Sequence, residues 1–371
     1  MIAALLAAAV LASGAAALPP ACDVEHPSGK DGCTRAAVDK LKMNQLQTMG
    51  SHNSYKMAIA PLEMATIRAR NPKGADTLDY SHEPLTDQLN DGARQLELDF
   101  VYDPKGGRYA SPLGRRIAPN TTPYDLSPLE KPGMKVMHIP DIDYRSVCPL
   151  LVDCFKEIRA WSNAHPDHVP ILIIFNFKQD TVKVPGAVPL LPFDAAAMDA
   201  ADAEVRSVFK PGEILTPDAV QGKHKTLRQA VMAGAWPSLK QARGKIMLAM
   251  DEDPATVAVY RGARKSLEGR MMFVNTDESS PAAGYITLNE PIAQHARIQA
   301  AVKAGLIVRT RADADTWEAR RNDTAPREAA FSSGATYVST DYRHPDMRFS
   351  PYEARLPNGV VARANPIDAR P

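Results

Sequence analysis

Eight short, apolar, β-rich runs, spaced at long intervals, are the feature that most constrains the fold of this chain. Between them, stretches such as 153–164, 194–209 and 292–304 carry apolar residues at helical spacing and charged residues on the opposite face. Strand followed by helix, repeated, is typical of a parallel sheet, and eight is the strand number of a (β/α)8 TIM barrel. The predicted strands are Gln45–Met49, Gln95–Val101, Lys135–Ile139, Ile171–Phe177, Lys245–Met250, Met271–Val274, Leu306–Arg309 and Tyr337–Thr340.

The size of the chain agrees with an α/β barrel. A barrel of roughly 250 residues with excursions would use most of the 371 residues. The alternative is an open, doubly wound sheet, which usually carries a glycine-rich nucleotide-binding turn, and neither GxGxxG nor GxxxxGK[ST] occurs here. Two Pro- and Gly-rich insertions, 103–134 and 181–192, follow predicted strands. We therefore expect long loops at the C-terminal face, where barrel enzymes build their active sites.

The N-terminus predicts export. Residues 1–17 form an apolar, alanine-rich run that ends in small residues before a Pro-Pro pair, which indicates a secretory signal cleaved near Ala17. Residues 18–371 would then be the mature protein, a single domain that is secreted or periplasmic. With a net charge of +1, the chain has no general field to attract nucleic acid.

The four cysteines support the same compartment. They fall in two close pairs, Cys22 with Cys33 and Cys148 with Cys154, and an even count in an exported chain predicts two disulfides. The alternative is that they are reduced and buried. A zinc site is disfavoured because neither pair has CxxC spacing.

Polar residues at the ends of the first four predicted strands suggest chemistry, since those ends converge on one face of a barrel. The first strand leads into His52 and Asn53, and the third ends at His138. The second carries Glu97 and Asp99, which the two-residue period places on one side. The fourth ends with Asn176 and Lys178, also two apart.

This inventory fits cleavage of a phosphodiester. Two imidazoles can supply a base and an acid, carboxylate and amide oxygens suit Ca²⁺ or Mg²⁺, and an ammonium can hold phosphate oxygens. Each residue alone also has a structural explanation. For Glu97 and Asp99 this would be a salt bridge to Arg94, for His138 a loop cap, and for Lys178 a solvated strand end.

Several segments together resemble the bacterial calcium-dependent phosphoinositide phospholipase C family, from about Asn44 to Tyr342. They are GSHNSY at 50–55, DYSHEPLTDQLNDGARQLELDF at 79–100, VMHIPDID at 136–143, the Cys148/Cys154 pair with RAWSNAHPDHVPILIIFNFK at 159–178, and TYVSTDY at 336–342.

The resemblance implies a TIM barrel in which His52 and His138 are the catalytic pair. It also implies that Asn53, Glu97 and Asp99 ligate one Ca²⁺ ion, in preference to Mg²⁺.

The fourth strand departs from the resembled superfamily, which usually places a metal-binding Glu two residues before a phosphate-binding Lys. Here Asn176 stands in that place before Lys178. An amide oxygen can still ligate calcium, but the site has one negative charge fewer. His82, in the second segment, could lie near the mouth, although a structural role before Pro84 is the preferred interpretation.

The expected function is calcium-dependent cleavage of phosphatidylinositol or a related small phosphodiester, with a cyclic phosphate product and transient contact with a membrane surface. One alternative is a glycerophosphodiester phosphodiesterase, although that family usually opens with His-Arg. The other is an inactive barrel that binds a lipid headgroup or a sugar, an interpretation that only Asn176 favours.

Overall fold

The computed structural model describes residues 18–367, so the predicted signal segment 1–17 lies outside the described residues. The strands are β1 (Leu46–Ser51), β2 (Gln95–Val101), β3 (Lys135–Val136), β4 (Ile171–Phe177), β5 (Ile214–Leu215), β6 (Ile246–Met250), β7 (Phe273–Val274), β8 (Tyr285–Thr287), β9 (Ile307–Arg311), β10 (Tyr337–Thr340) and β11 (Ala362–Ala364).

Eight of these strands form a parallel barrel in the order β1, β2, β4, β6, β7, β8, β9 and β10, with β10 pairing back to β1. Between β7 and β8 only a single parallel bridge, from Asn275 to Tyr285, joins the two ends of the curled sheet, so the barrel is not fully closed there. The short strand β5 also pairs parallel to β6. Two antiparallel strands lie at the margin, β3 on β2 and β11 on β1. The predicted α/β barrel is confirmed.

One predicted strand is wrong, and one barrel strand was not predicted. The run Lys135–Ile139 is not a barrel strand, because only Lys135–Val136 is extended and it pairs antiparallel to β2. Pro140 has no N–H for a ladder and Asp141 has a left-handed φ of 71°, so the chain turns back there. The eighth barrel strand is instead Tyr285–Thr287, whose three residues are too few to show a period in the sequence.

Helices surround the barrel. They are α1 (Arg35–Val38), α2 (Pro61–Arg70), α3 (Pro72–Thr77), α4 (Leu85–Asn90), α5 (Leu113–Ile117), α6 (Leu151–Ala164), α7 (Ala195–Val208), α8 (Pro217–Gln221), α9 (Leu227–Met232), α10 (Leu239–Ala242), α11 (Pro254–Arg261), α12 (His295–Lys303), α13 (Trp317–Arg321) and α14 (Ala325–Ser333), with 3₁₀ turns at Met43–Gln45, Ser127–Glu130 and Pro357–Gly359. The three predicted crossover helices correspond to α6, α7 and α12. The side chain of Asp194 caps α7 by accepting the N–H of Ala197 at 2.9 Å. None of the helices within 18–367 is long and apolar enough to cross a membrane.

Alternation along the strands separates the core from the site. On β4, Phe175 packs edge-on against Phe155 of α6, with ring centroids 5.9 Å apart. The next residue, Asn176, points the other way and reaches Glu97 inside the barrel. Because successive side chains of a strand point to opposite faces, one face of each strand packs against the helices and the other faces the barrel interior.

Both predicted disulfides are confirmed. Cys22 is bonded to Cys33 and Cys148 to Cys154, across sequence separations of 11 and 6. The second bond closes the segment that leads into α6, and the described residues include no free cysteine. The reduced state and the zinc site that the sequence left open are therefore wrong.

Candidate active site

His52 directly follows β1 and is held by the neighbouring strand β10. Its N–H donates to the carbonyl of Thr340 at 3.1 Å, and its Nδ1 lies 2.8 Å from Oδ1 of Asp341. A carboxylate only accepts, so the proton is on Nδ1 and the Nε2 lone pair is free. Burial, together with the nearby Arg311 guanidinium, lowers the pKa of His52 to about 3 despite Asp341. The imidazole is therefore neutral at ordinary pH.

His138 has a matching arrangement in the turn after β3. Its Nδ1 lies 2.9 Å from Oδ2 of Asp143, and its N–H donates to the Asp143 carbonyl at 3.1 Å. Burial by itself would raise the pKa of Asp143, but the ammonium of Lys56, 3.5 Å away, and His138 hold it below its usual range. The carboxylate thus stays ionised and orients the ring.

Tyr80 connects the two histidines. Its ring centroid lies 6.2 Å from that of His52 and 6.5 Å from that of His138. Both imidazoles therefore border one cleft, although β3 is not a barrel strand. His82 donates from Nε2 to the carbonyl of His52 at 2.7 Å, a contact that fixes the backbone at His52.

Glu97 and Asp99 project from β2 into the barrel mouth and are 3% and 1% exposed. Oδ2 of Asp99 lies 2.8 Å from Nζ of Lys178, whereas its Oδ1 is buried without a hydrogen-bond partner in the described residues. Oε1 of Glu97 accepts from the amide of Asn176 at 3.0 Å, and Oε2 accepts from Arg309 at 2.7 Å. Burial raises the pKa of Glu97 to about 7, even against the Arg309 charge.

The alternative of a salt bridge from these carboxylates to Arg94 is wrong, because that side chain pairs with Glu25 on the other side of the strand. Nε of Arg94 lies 2.6 Å from Oε2 of Glu25. The carboxylates at the mouth thus have other cations as partners.

Asn53 completes the set of oxygen donors. Its φ of 48° lies in the left-handed region, which Asn tolerates better than most residues. Nδ2 donates to the hydroxyl of Tyr80 at 2.7 Å, and Oδ1 has only a long contact of 3.4 Å from the Tyr55 hydroxyl. The carbonyl oxygen of this amide is therefore lightly engaged.

A family model described as "Phosphoinositide phospholipase C, Ca2+-dependent" matches residues 41–366. The chain belongs to this family. It is accordingly a phosphoric diester hydrolase of the phosphoinositide phospholipase C type. No curated protein matches the sequence.

Solved structures agree with the fold. A calcium-dependent phosphoinositol-specific phospholipase C from Pseudomonas sp., a myoinositol complex, is 17% identical with a TM-score of 0.54, over 91% of this chain and 99% of that one. A Ca²⁺-dependent phosphatidylinositol-specific phospholipase C from Streptomyces antibioticus is also 17% identical, with a TM-score of 0.51 over 81% and 94% of the two chains. At this identity the likeness shows the shared barrel.

The residues at the mouth fit the calcium of a phosphoinositide phospholipase C. Asn53, Glu97, Asp99 and Asn176 offer hard oxygen donors, and the unpaired Oδ1 of Asp99 is a buried acceptor that needs a cation. Two of these four donors are amides, which carry no charge. Residues 18–367 include no group of three or more His, Cys, Asp or Glu side chains placed to hold a metal ion. The site is therefore chemically suitable but has little negative charge.

Some polar residues of this phospholipase site were not assigned from the sequence. Asp341 lies in the segment TYVSTDY and directly follows the last residue of β10. Asp143 lies in the segment VMHIPDID, a few residues after His138. Arg309 and Arg311 lie two positions apart on β9, so their side chains share one face of that strand. This pattern indicates a polar inward face, but the site prediction covered only the first four strands. Arg311 places Nη2 3.2 Å from Nδ1 of His52.

Proposed function

We propose that the chain cleaves phosphatidylinositol or a related phosphodiester by attack of a neighbouring hydroxyl, releasing a cyclic phosphodiester. One observation carries this: each of two imidazoles at one cleft is oriented through Nδ1 by its own buried carboxylate, Asp341 for His52 and Asp143 for His138. That arrangement leaves both Nε2 atoms for the substrate.

His52 is the proposed base. Its neutral Nε2, which lies 3.8 Å from Oε1 of Glu97, would take the proton of the attacking hydroxyl as that oxygen bonds to phosphorus. Burial opposes ionisation of Asp341, but His52 and Arg311 hold its pKa well below the usual range. The carboxylate is thus present to stabilise the imidazolium that forms.

His138 is the proposed acid. This step requires His138 in its imidazolium form, with a proton on each ring nitrogen. As the bond from phosphorus to the leaving oxygen breaks, the Nε2 proton would pass to the alkoxide and leave a neutral imidazole, whose Nδ1–H still donates to Asp143. Lys178 is the proposed partner of the phosphate oxygens, since its side chain is 31% exposed although its ammonium pairs with Asp99.

The proposed ligands of one calcium ion are Asn53, Glu97, Asp99 and Asn176. When bound, the ion supplies positive charge for the phosphate oxygens. Arg309 would compete with the calcium ion for Glu97. To bind the ion, this carboxylate would either share Oε2 between the ion and the guanidinium or turn Oε1 away from Asn176.

The test is product analysis with two leaving groups. Phosphorus NMR should show a cyclic inositol phosphate formed before any acyclic ester, and an acyclic first product would favour the glycerophosphodiesterase alternative. His138→Gln should lose far more activity on an alkyl ester than on a nitrophenyl ester, whose leaving group needs no acid. His52→Gln should lose activity on both. Equal losses in His138→Gln for both esters would refute the acid assignment, and headgroup binding without turnover would favour the inactive barrel.

We also propose that the chain is exported as a single domain after cleavage near Ala17. The two disulfides support an oxidising compartment. N-terminal sequencing of the exported protein should begin close to residue 18. Intact residues 1–17 in that material would contradict the proposal.

A further inference from the structure

A fully buried lysine lies between the two halves of the candidate active site. Lys56 comes four residues after His52, and its side chain is 0% exposed. Its Nζ donates to the carbonyl oxygens of Tyr80 at 2.8 Å and Leu78 at 3.0 Å, and it lies 3.5 Å from Oδ2 of Asp143. A buried ammonium carries a large desolvation penalty that an apolar side chain of similar length would avoid. The charge therefore indicates a role that packing alone does not require.

The carboxylate of Asp143 is shared between this ammonium and His138. Its Oδ2 lies 2.9 Å from Nδ1 of His138 and 3.5 Å from Nζ of Lys56, and its Oδ1 is buried without a hydrogen-bond partner in the described residues. In the part of the chain that the structure describes, Lys56 is the only lysine or arginine within 4.0 Å of Asp143. The carboxylate therefore divides its charge between the ammonium and the imidazole.

The other titratable groups around this carboxylate do not take the place of the ammonium. Burial raises the pKa of Tyr55 and of Tyr80 well above the ordinary value, so both phenols stay neutral. Asp141, in the same turn, accepts backbone N–H groups of α5 and of the loop that follows β4. The carboxylates on β2 are paired with their own cations, and His52 has its own carboxylate, Asp341.

Lys56 also holds the aromatic ring that both imidazoles contact. Its Nζ lies 4.6 Å from the ring centroid of Tyr80, and the same ammonium binds the Tyr80 carbonyl. The carbonyl of Lys56 accepts the N–H of His82, whose Nε2 reaches the carbonyl of His52. One residue is thus connected both to the carboxylate behind His138 and to the backbone at His52.

We propose that Lys56 is a positioning residue that sets the strength of the His138 acid through Asp143. The inference rests on the proposed function, because it takes the imidazolium of His138 to be the proton donor. A carboxylate with no other cation would hold the imidazolium tightly and make it a weak acid. Because the ammonium draws on the same oxygen, the Nε2 proton passes more easily to the leaving alkoxide, and Asp143 stays ionised beside the neutral imidazole that remains.

The experiment follows kcat against pH for an alkyl and a nitrophenyl inositol phosphodiester, with the mature protein and calcium. Lys56→Met removes the charge and keeps an unbranched side chain of similar length. The ratio of alkyl to nitrophenyl turnover, in which differences in the active fraction cancel, should fall about three- to tenfold because the acid is weaker. The alkaline limb for the alkyl ester should move up by about one pH unit, because the imidazolium keeps its proton longer. Lys56→Arg, which keeps the charge, should leave the limb at its wild-type position.

Lys135→Met is the matched control. Lys135 is also 0% exposed, its Nζ lies 3.1 Å from Oδ2 of Asp103, and it donates to the carbonyls of Lys131 and Gly133, outside the cleft. This variant should lose stability, as Lys56→Met does, with no change in the limb or in the ratio.

A second comparison remains available where Lys56→Met alone does not fold. In an Asp143→Asn background, Lys56→Met leaves no unpaired carboxylate at this place. If Lys56 acts through Asp143, the added substitution should change neither the limb nor the ratio relative to Asp143→Asn alone. A further change of either quantity would overturn the proposal.

The outcomes separate this proposal from the proposed function. An equal loss on both esters in Lys56→Met, with an unmoved limb, would mean that Lys56 only supports the fold. A limb that moves as far in Lys56→Arg as in Lys56→Met would also overturn the proposal. An equal loss on both esters in His138→Gln would instead refute the proposed acid itself.

Discussion

Replacing Asn176 by Asp tests the candidate metal site most directly. In the structure the amide of Asn176 donates to Oε1 of Glu97 at 3.0 Å. Asn176→Asp removes that donor and puts a second carboxylate in its place with almost no change in volume. The variant should be less stable without calcium and should bind calcium more tightly.

Both effects can be sized from the structure. Two carboxylates 3.0 Å apart at an effective dielectric of about 20 repel by about 5.5 kcal/mol. The lost hydrogen bond adds about 1 kcal/mol. Because the pair can take up a proton, the net loss of unfolding free energy should be about 1–3 kcal/mol. With calcium, the added charge gains roughly 8 kcal/mol gross at about 4 Å, and repulsion and desolvation should leave about 1–2 kcal/mol, about tenfold in affinity.

The assay is calcium titration by calorimetry, together with thermal melts in chelator and in excess calcium. Asn275→Asp is a matched control, because Asn275 also donates its amide to a half-buried mouth carboxylate, Asp251, at 3.2 Å. Both variants should lose stability in chelator, but only Asn176→Asp should gain calcium affinity. Unchanged affinity in Asn176→Asp, or an equal gain in Asn275→Asp, would refute the placement of Asn176 beside the ion.

Three further predictions concern charge and covalent structure. Asp99→Asn, which removes the buried carboxylate paired with Lys178, should lower calcium affinity at least tenfold in the same titration with no change in the circular dichroism spectrum. Burial raises the pKa of Glu204 to about 7, so the folded state binds its proton more tightly than the unfolded state. The contribution of Glu204 to the free energy of unfolding should therefore fall by about 1–2 kcal/mol as pH rises from about 4.5 to about 7.5. Glu204→Gln should remove this contribution, so the difference in unfolding free energy between wild type and variant should change by that amount in denaturant titrations. Replacing Cys148 and Cys154 with Ser should cost about 2 kcal/mol in the chain-entropy model while kcat stays within twofold; an unchanged melting temperature would contradict this.

The sequence predicted the elements that depend on local patterns. Ile171–Phe177 was found at its observed bounds, because a continuous apolar run between turn residues has few other interpretations. The polar positions of β2 and β4 were also located, since the two-residue period fixes which side chains share a face. Glu97 and Asn176 do meet inside the barrel, although their roles are still predictions.

Contacts between distant strands could not be predicted. Arg309 lies 212 positions after Glu97, and nothing local to either residue indicates that the guanidinium reaches across the barrel. The misassigned third strand has a similar cause: its apolar run continues to Ile139, but Pro140 and the left-handed Asp141 turn the chain back. His138 nevertheless reaches the cleft, because the turn carries it there instead of a strand end.

The charge balance of the mouth gives the amide at position 176 a physical role. Glu97 is compensated by Arg309 and Asp99 by Lys178, so the pairs are neutral without any metal. A carboxylate at position 176 would add a negative charge beside Glu97 in a buried place, and we expect that folding would then depend more on a bound cation. With Asn176 that charge is absent, so we expect the barrel to fold without calcium and the proposed calcium site to be weaker. Calcium affinity and metal-free stability should therefore change in opposite directions when the residue at position 176 is exchanged.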